Sequence, residues 1–139
     1  MATPAINYTD VLDFWFGSPG SLVYGQSRVE WFKKSDAFDE LIRSRFLALH
    51  ECAQRGEVTA WRFSPLSLLA LIIVCDQFPR NLFRESARAF DTDALALDST
   101  RHMVAMGWDS RLNAVERQFV YLPFEHSEQL DDQKRSEEH

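Results

Sequence analysis

The stretch from Ser64 to Asn81, "SPLSLLALIIVCDQFPRN", decides the fold. Serine followed by proline is typical of a helix start, because serine caps free backbone N–H groups and proline suits the first helical position. From Leu66 to Cys75 every residue except Ser67 is apolar, so a helix here would have no solvent face. The pattern predicts a buried helix at the centre of the fold, which Pro79 ends.

The segments on both sides of this central helix also have helical patterns. The longest is opened by Ser35 or Asp36 and runs to about Arg55, with apolar residues at gaps of three and four: Phe38, Leu41, Ile42, Phe46, Leu49 and Ala53. The other predicted helices are one at 10–16 between Thr9 and Gly17, a short one near 27–35, one at 92–106 capped by Asp91 and ended by Gly107, one opened by Asn113 and Glu116 and broken by Pro123, and an acidic one capped by Ser127. No stretch alternates apolar and polar residues as a strand would. We therefore predict a single all-α domain over residues 1–139.

Composition excludes several classes of function. The net charge is −6, and residues 125–139 contain six acidic and two basic residues, so no basic face is left for nucleic acid. The apolar runs are far shorter than the roughly 20 residues of a membrane span. The start, "MATPAINYTD", lacks the pattern of a secretion signal, and Cys52 and Cys75 lie in apolar helical contexts. Buried free thiols are typical of a reducing compartment, so we expect a cytoplasmic protein.

Asp76 is the first candidate site residue, because it lies in the last turn of the predicted buried helix. The helix dipole disfavours a carboxylate there by about 0.3–1 kcal/mol, and burying an unpaired charge costs several kcal/mol more. Asp76 therefore needs a partner, and Arg80, four residues on, is a candidate, with Gln77 and Asn81 adding amides. Two interpretations stay open: a polar clasp that pins the helix end, or a ligand pocket in which Arg80 and Arg84 face an anionic group.

His126 is the second candidate, within "YLPFEHSEQLDDQ" (residues 121–133). It is either a hydrogen-bonded structural histidine or one half of an acid–base or metal pair with Glu125, Glu128 or Asp76. Neither H-E-x-x-H nor paired C-x-x-C occurs, so we predict no metal and no cofactor. Arg117 interrupts an aromatic face in "VERQFVYL" and is expected to be buried and paired.

Tryptophan is the third feature. Trp15, Trp31, Trp61 and Trp108 lie near the ends of predicted elements. They either belong to the core, as large rings usually do, or line a groove for a peptide or a flat ligand.

Four motifs together resemble a known family: "VLDFWFG", "LIIVCDQFPRNLFR", "AFDTDALAL" and "ERQFVYLPFEHSEQLDDQ". Over residues 10–135 the chain is similar to the uncharacterised bacterial family called domain of unknown function 924. The resemblance implies an all-α fold of the tetratricopeptide-like superfamily, built from stacked antiparallel helical hairpins, and it implies no activity. The positions that match the polar motifs of the family are Asp76, Gln77, Arg80, Asn81, Arg84, Glu116, Arg117, His126, Ser127, Glu128 and Gln133.

The chain departs from the family pattern at its end. Members usually continue with C-terminal helices that carry a segment similar to F-G-R-F-P-x-R-N, which echoes "DQFPRN", whereas this chain ends in "KRSEEH". We expect any two-sided pocket to be half open. Apolar surface left bare would favour self-association into a homo-oligomer.

Two functions are consistent with these residues. The leading one is a binding or interaction module that recognises a peptide, a partner protein or a small anionic ligand, through Gln77, Arg80, Asn81, Arg84 and Arg117, close to His126. The alternative is a small hydrolase-like enzyme. His126 would then be the general base, Asp76 or Glu128 would orient it or share a metal with it, and Arg80 would bind an anionic substrate. An enzyme requires Asp76, Arg80 and His126 to converge at a concave place that solvent can reach.

Overall fold

The fold is seen in a computed structural model, which describes the backbone of residues 6–138 and the side chains of residues 6–128. The α-helices are α1 (Tyr8–Phe16), α2 (Asp36–Gln54), α3 (Pro65–Ile72), α4 (Phe78–Leu82), α5 (Asp93–Ala105) and α6 (Ala114–Glu138), with short 3₁₀ turns at Val29–Trp31, Thr59–Phe63, Ala87–Phe90 and Trp108–Arg111. Residues 6–138 contain no strand, so the predicted all-α class is confirmed for that range. The tetratricopeptide-like stacking and the single domain stay predictions. No helix in this range has the length and hydropathy needed to cross a bilayer.

Helix α3 is the buried centre that its sequence predicts. Ser64 caps it, because its Oγ accepts the backbone N–H of Ser67 at 3.3 Å, and Pro65 is the first helical residue. Every residue at 67–76 is buried, and α3 packs against α1, α5 and α6. Only the first turn reaches solvent, where Leu66 is 45% exposed.

Pro79 does not end the central helix, contrary to the sequence prediction. The chain widens into a π turn at Ile73–Gln77 and continues as α4 with Pro79 inside it. Pro79 has no N–H for the carbonyl of Cys75, four residues earlier, and the hydroxyl of Thr92 donates to that carbonyl instead, at 2.7 Å. The prediction was wrong because a donor from another segment of the chain replaces the missing hydrogen bond.

Helix α6 also contradicts the prediction of a break at Pro123 and a separate helix capped by Ser127. It is one helix with Pro123 inside it. A proline within a helix costs about 3 kcal/mol, but Phe119, Val120 and Pro123 are all buried, so packing offsets that cost. The start of α6 is as predicted. Asn113 and Glu116 form a reciprocal capping box, with N–H to oxygen distances of 3.0 and 2.8 Å.

Helices α1, α2 and α5 begin close to their predicted positions. Ser35 caps α2, and the predicted apolar stripe is buried, except that Leu41 is 50% exposed. Asn7, rather than Thr9, caps α1, because Asn7 and Asp10 form a capping box. Thr92, rather than Asp91, precedes the first residue of α5.

The four tryptophans all belong to the core or pack against it. Trp15 is buried, and the ring of Trp31 stacks on it at 6.0 Å. Trp31, Trp61 and Trp108 are half-buried, and each packs against the core. Trp15 is therefore a core ring, whereas the other three rings pack against the core and keep part of their surface exposed, so the groove interpretation stays a prediction for them.

Candidate functional site

The π turn brings the side chain of Asp76 to a buried position between helices, where only 1% of the residue is exposed. His126, on α6, lies with Nδ1 2.9 Å from Oδ1 of Asp76. Gln77 donates from Nε2 to Oδ2 at 2.8 Å, and a guanidinium nitrogen of Arg80 lies 3.5 Å from Oδ1. The buried carboxylate therefore has the partners that its charge requires.

The contact between His126 and Asp76 decides which nitrogen of the imidazole is free. An ionised carboxylate only accepts hydrogen bonds, so Nδ1 of His126 carries the proton that points at Asp76. In the neutral ring Nε2 is then the basic nitrogen, and among residues 6–128 it has no hydrogen-bond partner. The side chain of His126 is 20% exposed. The pair has the arrangement of a histidine base that a carboxylate orients.

Arg80 joins Asp76 to a second carboxylate that sequence reasoning missed. Its two terminal nitrogens lie 3.1 and 3.2 Å from the two oxygens of Asp93, so Arg80 forms a bidentate ion pair with Asp93 rather than with Asp76. Arg80 also donates to the backbone carbonyl of Asp76. Asp93 is the first residue of α5, where the helix dipole favours a carboxylate. Asp93 lies in the motif "AFDTDALAL", and that motif is the sequence feature that could have identified it as a site residue.

Asn81 and Arg84 belong to a neighbouring cluster around Asp39, on the first turn of α2. Asn81 donates from Nδ2 to Asp39 at 2.8 Å, and Arg84 donates from Nε and a terminal nitrogen at 2.6 and 3.2 Å. The hydrogen bonds to Asp39 raise the pKa of Arg84 above its ordinary value, so its guanidinium stays charged. One carboxylate therefore fixes both polar side chains.

An open cavity of about 950 Å³ lies beside this cluster, and Arg80, Asn81 and Arg84 line it. Arg43 lines it from α2 and is held there by a hydrogen bond of 2.7 Å to the carbonyl of Leu82. Other charged residues on its wall are Lys34, Asp36, Asp39, Glu40 and Glu85. Asp76 and His126 are not on its wall. We call this space the arginine cavity, and Arg80 connects it to the Asp76–His126 pair.

Two predicted site residues are not brought to either cluster. Arg117 is half-buried and donates to the carbonyl of Leu112 at 2.6 Å. It lies nine positions before His126 on α6, about 14 Å away along the helix axis. Glu128 is exposed, and no hydrogen bond or ion pair within residues 6–128 joins it to His126. The side chain of Gln133 lies outside the described residues. Within that described part, no group of three His, Cys, Asp or Glu side chains is close enough to hold a metal ion.

His50 is a further polar residue that the sequence did not single out. It is buried in α2, and its Nε2 lies 3.3 Å from Oγ1 of Thr92. Thr92 gives its only hydroxyl proton to the carbonyl of Cys75, so Nε2 of His50 is the donor in this contact. Nδ1 has no partner within residues 6–128, and burial lowers the pKa of His50 below its ordinary value. A neutral histidine thus supports the carbonyl that Pro79 leaves free.

Two comparisons with known proteins found similarities to this chain. The model of the family described as "Bacterial protein of unknown function (DUF924)" matches residues 11–139. A solved structure of a protein of unknown function, ATU0120 from Agrobacterium tumefaciens, is similar with a TM-score of 0.78 and 36% sequence identity. The similarity covers 92% of this chain and 68% of that chain. No curated protein matches the sequence.

Proposed function

This chain belongs to the bacterial DUF924 family, whose function is unknown, and on that premise we propose that it is a helical binding module that takes a small anionic ligand in the arginine cavity. The ligand would carry carboxylate or phosphate groups, which match the planar donors of guanidinium in geometry and charge.

The observation that supports this proposal is the convergence of Arg43, Arg80 and Arg84 on one open cavity. Each guanidinium is held on one side by a carbonyl or a carboxylate, so its direction is set before any ligand arrives. A guanidinium has five N–H donors, and these contacts use only some of them. Donors held in place in this way lose little freedom on binding, which favours affinity.

The carboxylates on the cavity wall are the obvious objection. Three of the four are paired with cations beside them: Asp36 lies 3.9 Å from Lys34, Glu40 lies 3.8 Å from Arg43, and Asp39 lies 2.6 Å from Arg84, whereas Glu85 has no ion pair among the described side chains. Ion pairs that water reaches are worth about 1 kcal/mol or less, so a ligand with two or more anionic groups can compete with them. The proposal therefore favours multivalent anions over chloride or acetate.

Backbone strain at the rim of the cavity is consistent with a binding role. Glu85 has a φ of +62°, the one positive φ outside glycine in the described residues. A left-handed residue with a side chain costs about 1–2 kcal/mol, and such strain collects at ligand sites. Glu85 lines the same cavity as the three arginines, so the strained residue belongs to the proposed binding site.

Calorimetric titration tests this proposal with citrate, inorganic phosphate and an acidic peptide as separate probes. We expect citrate to bind, and we expect Arg43→Gln and Arg84→Gln each to weaken its binding by about tenfold to a hundredfold, since a hydrogen bond to a charged group is worth roughly 1.5–3 kcal/mol. Arg62→Gln is the matched control, because Arg62 is paired with Asp98 at 2.6 Å and does not line the cavity. Binding of the acidic peptide alone would reject a small ligand in favour of a peptide or partner protein. Equal citrate affinity in all variants would reject the cavity.

A hydrolase-like enzyme is the second candidate. The 2.9 Å contact between His126 and Asp76 favours it, whereas of the three residues that it requires at a concave place only Arg80 lines the arginine cavity. His126 would act as general base through Nε2, Asp76 would orient the ring, and Arg80 would hold an anionic substrate. A panel of chromogenic esters and phosphoesters tests this alternative. Turnover that His126→Gln abolishes and His102→Gln retains would support it. Equal turnover in the two variants, or none in the wild type, would reject it.

The setting we propose is the cytoplasm, because Cys52 and Cys75 are both free and buried, as in proteins of reducing compartments. Self-association is a further proposal. Leu22 is 98% exposed, and Val29 and Phe32 in the same segment are also exposed, so apolar surface is available for it.

A further inference from the structure

A second cavity, of about 460 Å³, lies at the opposite end of the central helix from the arginine cavity. Leu66 lines it at the first turn of α3, whereas Asn81 in α4 lines the arginine cavity, about 20 Å away along the helix. The start of α6, the start of α1 and the loop after α1 supply its other walls. It is therefore separate from the arginine cavity and from the Asp76–His126 pair.

Glu116 is the buried charged group of this cavity, and it is 5% exposed. Its Oε1 accepts the N–H of Asn113 at 3.0 Å, whereas its Oε2 has only the hydroxyl of Tyr24, at 3.5 Å. No cation lies within 4.0 Å of it among the described side chains. A carboxylate accepts more hydrogen bonds than these, so Oε2 offers a buried negative acceptor to a ligand.

Arg111 brings the opposite charge to the same cavity. It is exposed at the end of the 3₁₀ turn before α6, and it forms no ion pair with any described carboxylate, Glu116 included. The charged groups of Glu116 and Arg111 line the same cavity and lie more than 4.0 Å apart, so a ligand that carries both opposite charges can contact each of them.

The remaining walls are aromatic and aliphatic. Tyr8 and Tyr24 are half-buried, Leu112 is buried, and Leu66 leaves 45% of its surface in contact with solvent. Burial raises the pKa of Tyr24, and Glu116 raises it further, so its hydroxyl stays protonated and able to donate. A concave site with apolar walls and a few convergent polar groups is the usual form of a small-molecule site.

We propose that this cavity binds a small zwitterion with an apolar or aromatic body, the chemistry of a free α-amino acid. The ammonium group donates to Oε2 of Glu116, the carboxylate pairs with Arg111, and the side chain packs against Tyr8, Tyr24 and Leu66. This site is independent of the anionic ligand proposed for the arginine cavity, and either proposal can fail without the other.

Calorimetric titration with L-phenylalanine tests the inference, with 2-phenylethylamine and 3-phenylpropionate as probes that each lack one charge. We expect L-phenylalanine to bind, each single-charge probe to bind about tenfold more weakly, and backbone amide NMR signals of Tyr24, Arg111 and Leu112 to shift on binding. Glu116→Gln should weaken binding about tenfold, because the amide oxygen of glutamine can still accept the N–H of Asn113 that caps α6, whereas the negative charge is lost. Arg62→Gln is the control and should bind as the wild type does, because Arg62 is paired with Asp98 and lines neither this cavity nor the arginine cavity.

Three results would overturn this assignment. One is no response to L-phenylalanine at about 10 mM, where even a millimolar site would be occupied. Another is unchanged affinity in both Glu116→Gln and Arg111→Gln. The third is tighter binding of either single-charge probe than of the zwitterion. Arg111 is exposed, so Arg111→Gln keeps the test valid if Glu116→Gln does not fold.

Discussion

Replacement of Asp76 by asparagine is the sharpest test of what the buried cluster does for the fold. The carboxylate is 1% exposed, with donors from His126 at 2.9 Å, Gln77 at 2.8 Å and Arg80 at 3.5 Å. In Asp76→Asn one acceptor oxygen remains, and an NH₂ group replaces the other oxygen. That NH₂ group would face a donor that contacts the carboxylate oxygen in the wild type. The variant therefore loses at least one charged hydrogen bond and gains a donor–donor contact.

The expected magnitude can be worked from these contacts. Each hydrogen bond to a charged group is worth about 1.5–3 kcal/mol, and breaking a buried ion pair costs about 3–5 kcal/mol. Asparagine carries no charge, so the variant avoids the cost of burying a carboxylate, and this offsets part of the loss. We therefore expect Asp76→Asn to lower the free energy of unfolding by about 2–4 kcal/mol. For a chain of this size that is a fall of roughly 10 °C in Tm.

Urea denaturation followed by circular dichroism measures this change, with a thermal melt beside it. Asp98→Asn is the control, because Asp98 has one ion pair, with Arg62, and a largely exposed side chain, so we expect a change within about 1 kcal/mol. In a double variant that combines Asp76→Asn with His126→Gln, the fall in the free energy of unfolding should be smaller than the sum of the falls in the two single variants, because the two side chains are in direct contact. An unchanged or raised stability in Asp76→Asn would refute the clasp. It would mean that the carboxylate is retained at a cost to stability, as functional groups often are.

Further predictions concern the local structure around the clusters. Gly17→Ala should destabilise the fold by more than about 1 kcal/mol, seen as a lower urea midpoint, because Gly17 has a φ of +86° and a Cβ would lie 2.4 Å from the side chain of Val23. Thr92→Val should cost about 1–3 kcal/mol in the same measurement, because it leaves the carbonyl of Cys75 without its donor, and an unchanged midpoint would mean that water or a backbone shift replaces that donor. Burial lowers the pKa of His50, so the unfolded chain, where histidine titrates near about 6.5, takes up the proton first as pH falls. The free energy of unfolding that neutral His50 contributes is thus fully present above about pH 6.5 and is lost as pH falls toward the lowered pKa of the folded state. His50→Gln should therefore flatten the pH dependence of the urea midpoint over that range.

The π turn is the structural reason that the cluster exists in its observed form. A π turn holds one residue more than the α-helical turn it replaces, and it rotates the next helical turn about the helix axis. Here it spans Ile73–Gln77, so it sets the direction in which Asp76 points. Such turns occur often at functional sites, which is consistent with the proposals made for Asp76 and Arg80.

Helix starts were predictable because they depend on residues three or four apart. Ser64 with Ser67, Ser35 with Phe38, and Asn113 with Glu116 form the capping contacts that their spacing predicts. Two helix ends predicted from proline were wrong. The rule that proline ends a helix assumes that no other group replaces the missing hydrogen bond and that no packing offsets its loss. At Pro79 the hydroxyl of Thr92, from another segment, replaces that hydrogen bond, and at Pro123 the buried surroundings offset its loss.

The sequence by itself determined the all-α class, the buried central helix and the requirement that Asp76 have partners. These properties arise from the periodicity of apolar residues and from the cost of burying a charge, and both act over one or two helical turns. Only the tertiary structure decided which partners meet: His126, 50 residues from Asp76, and Asp39, 45 residues from Arg84. Contacts between separate helices depend on how those helices pack, and the sequence spacing of a polar residue on one helix carries no information about the side chain that faces it from another.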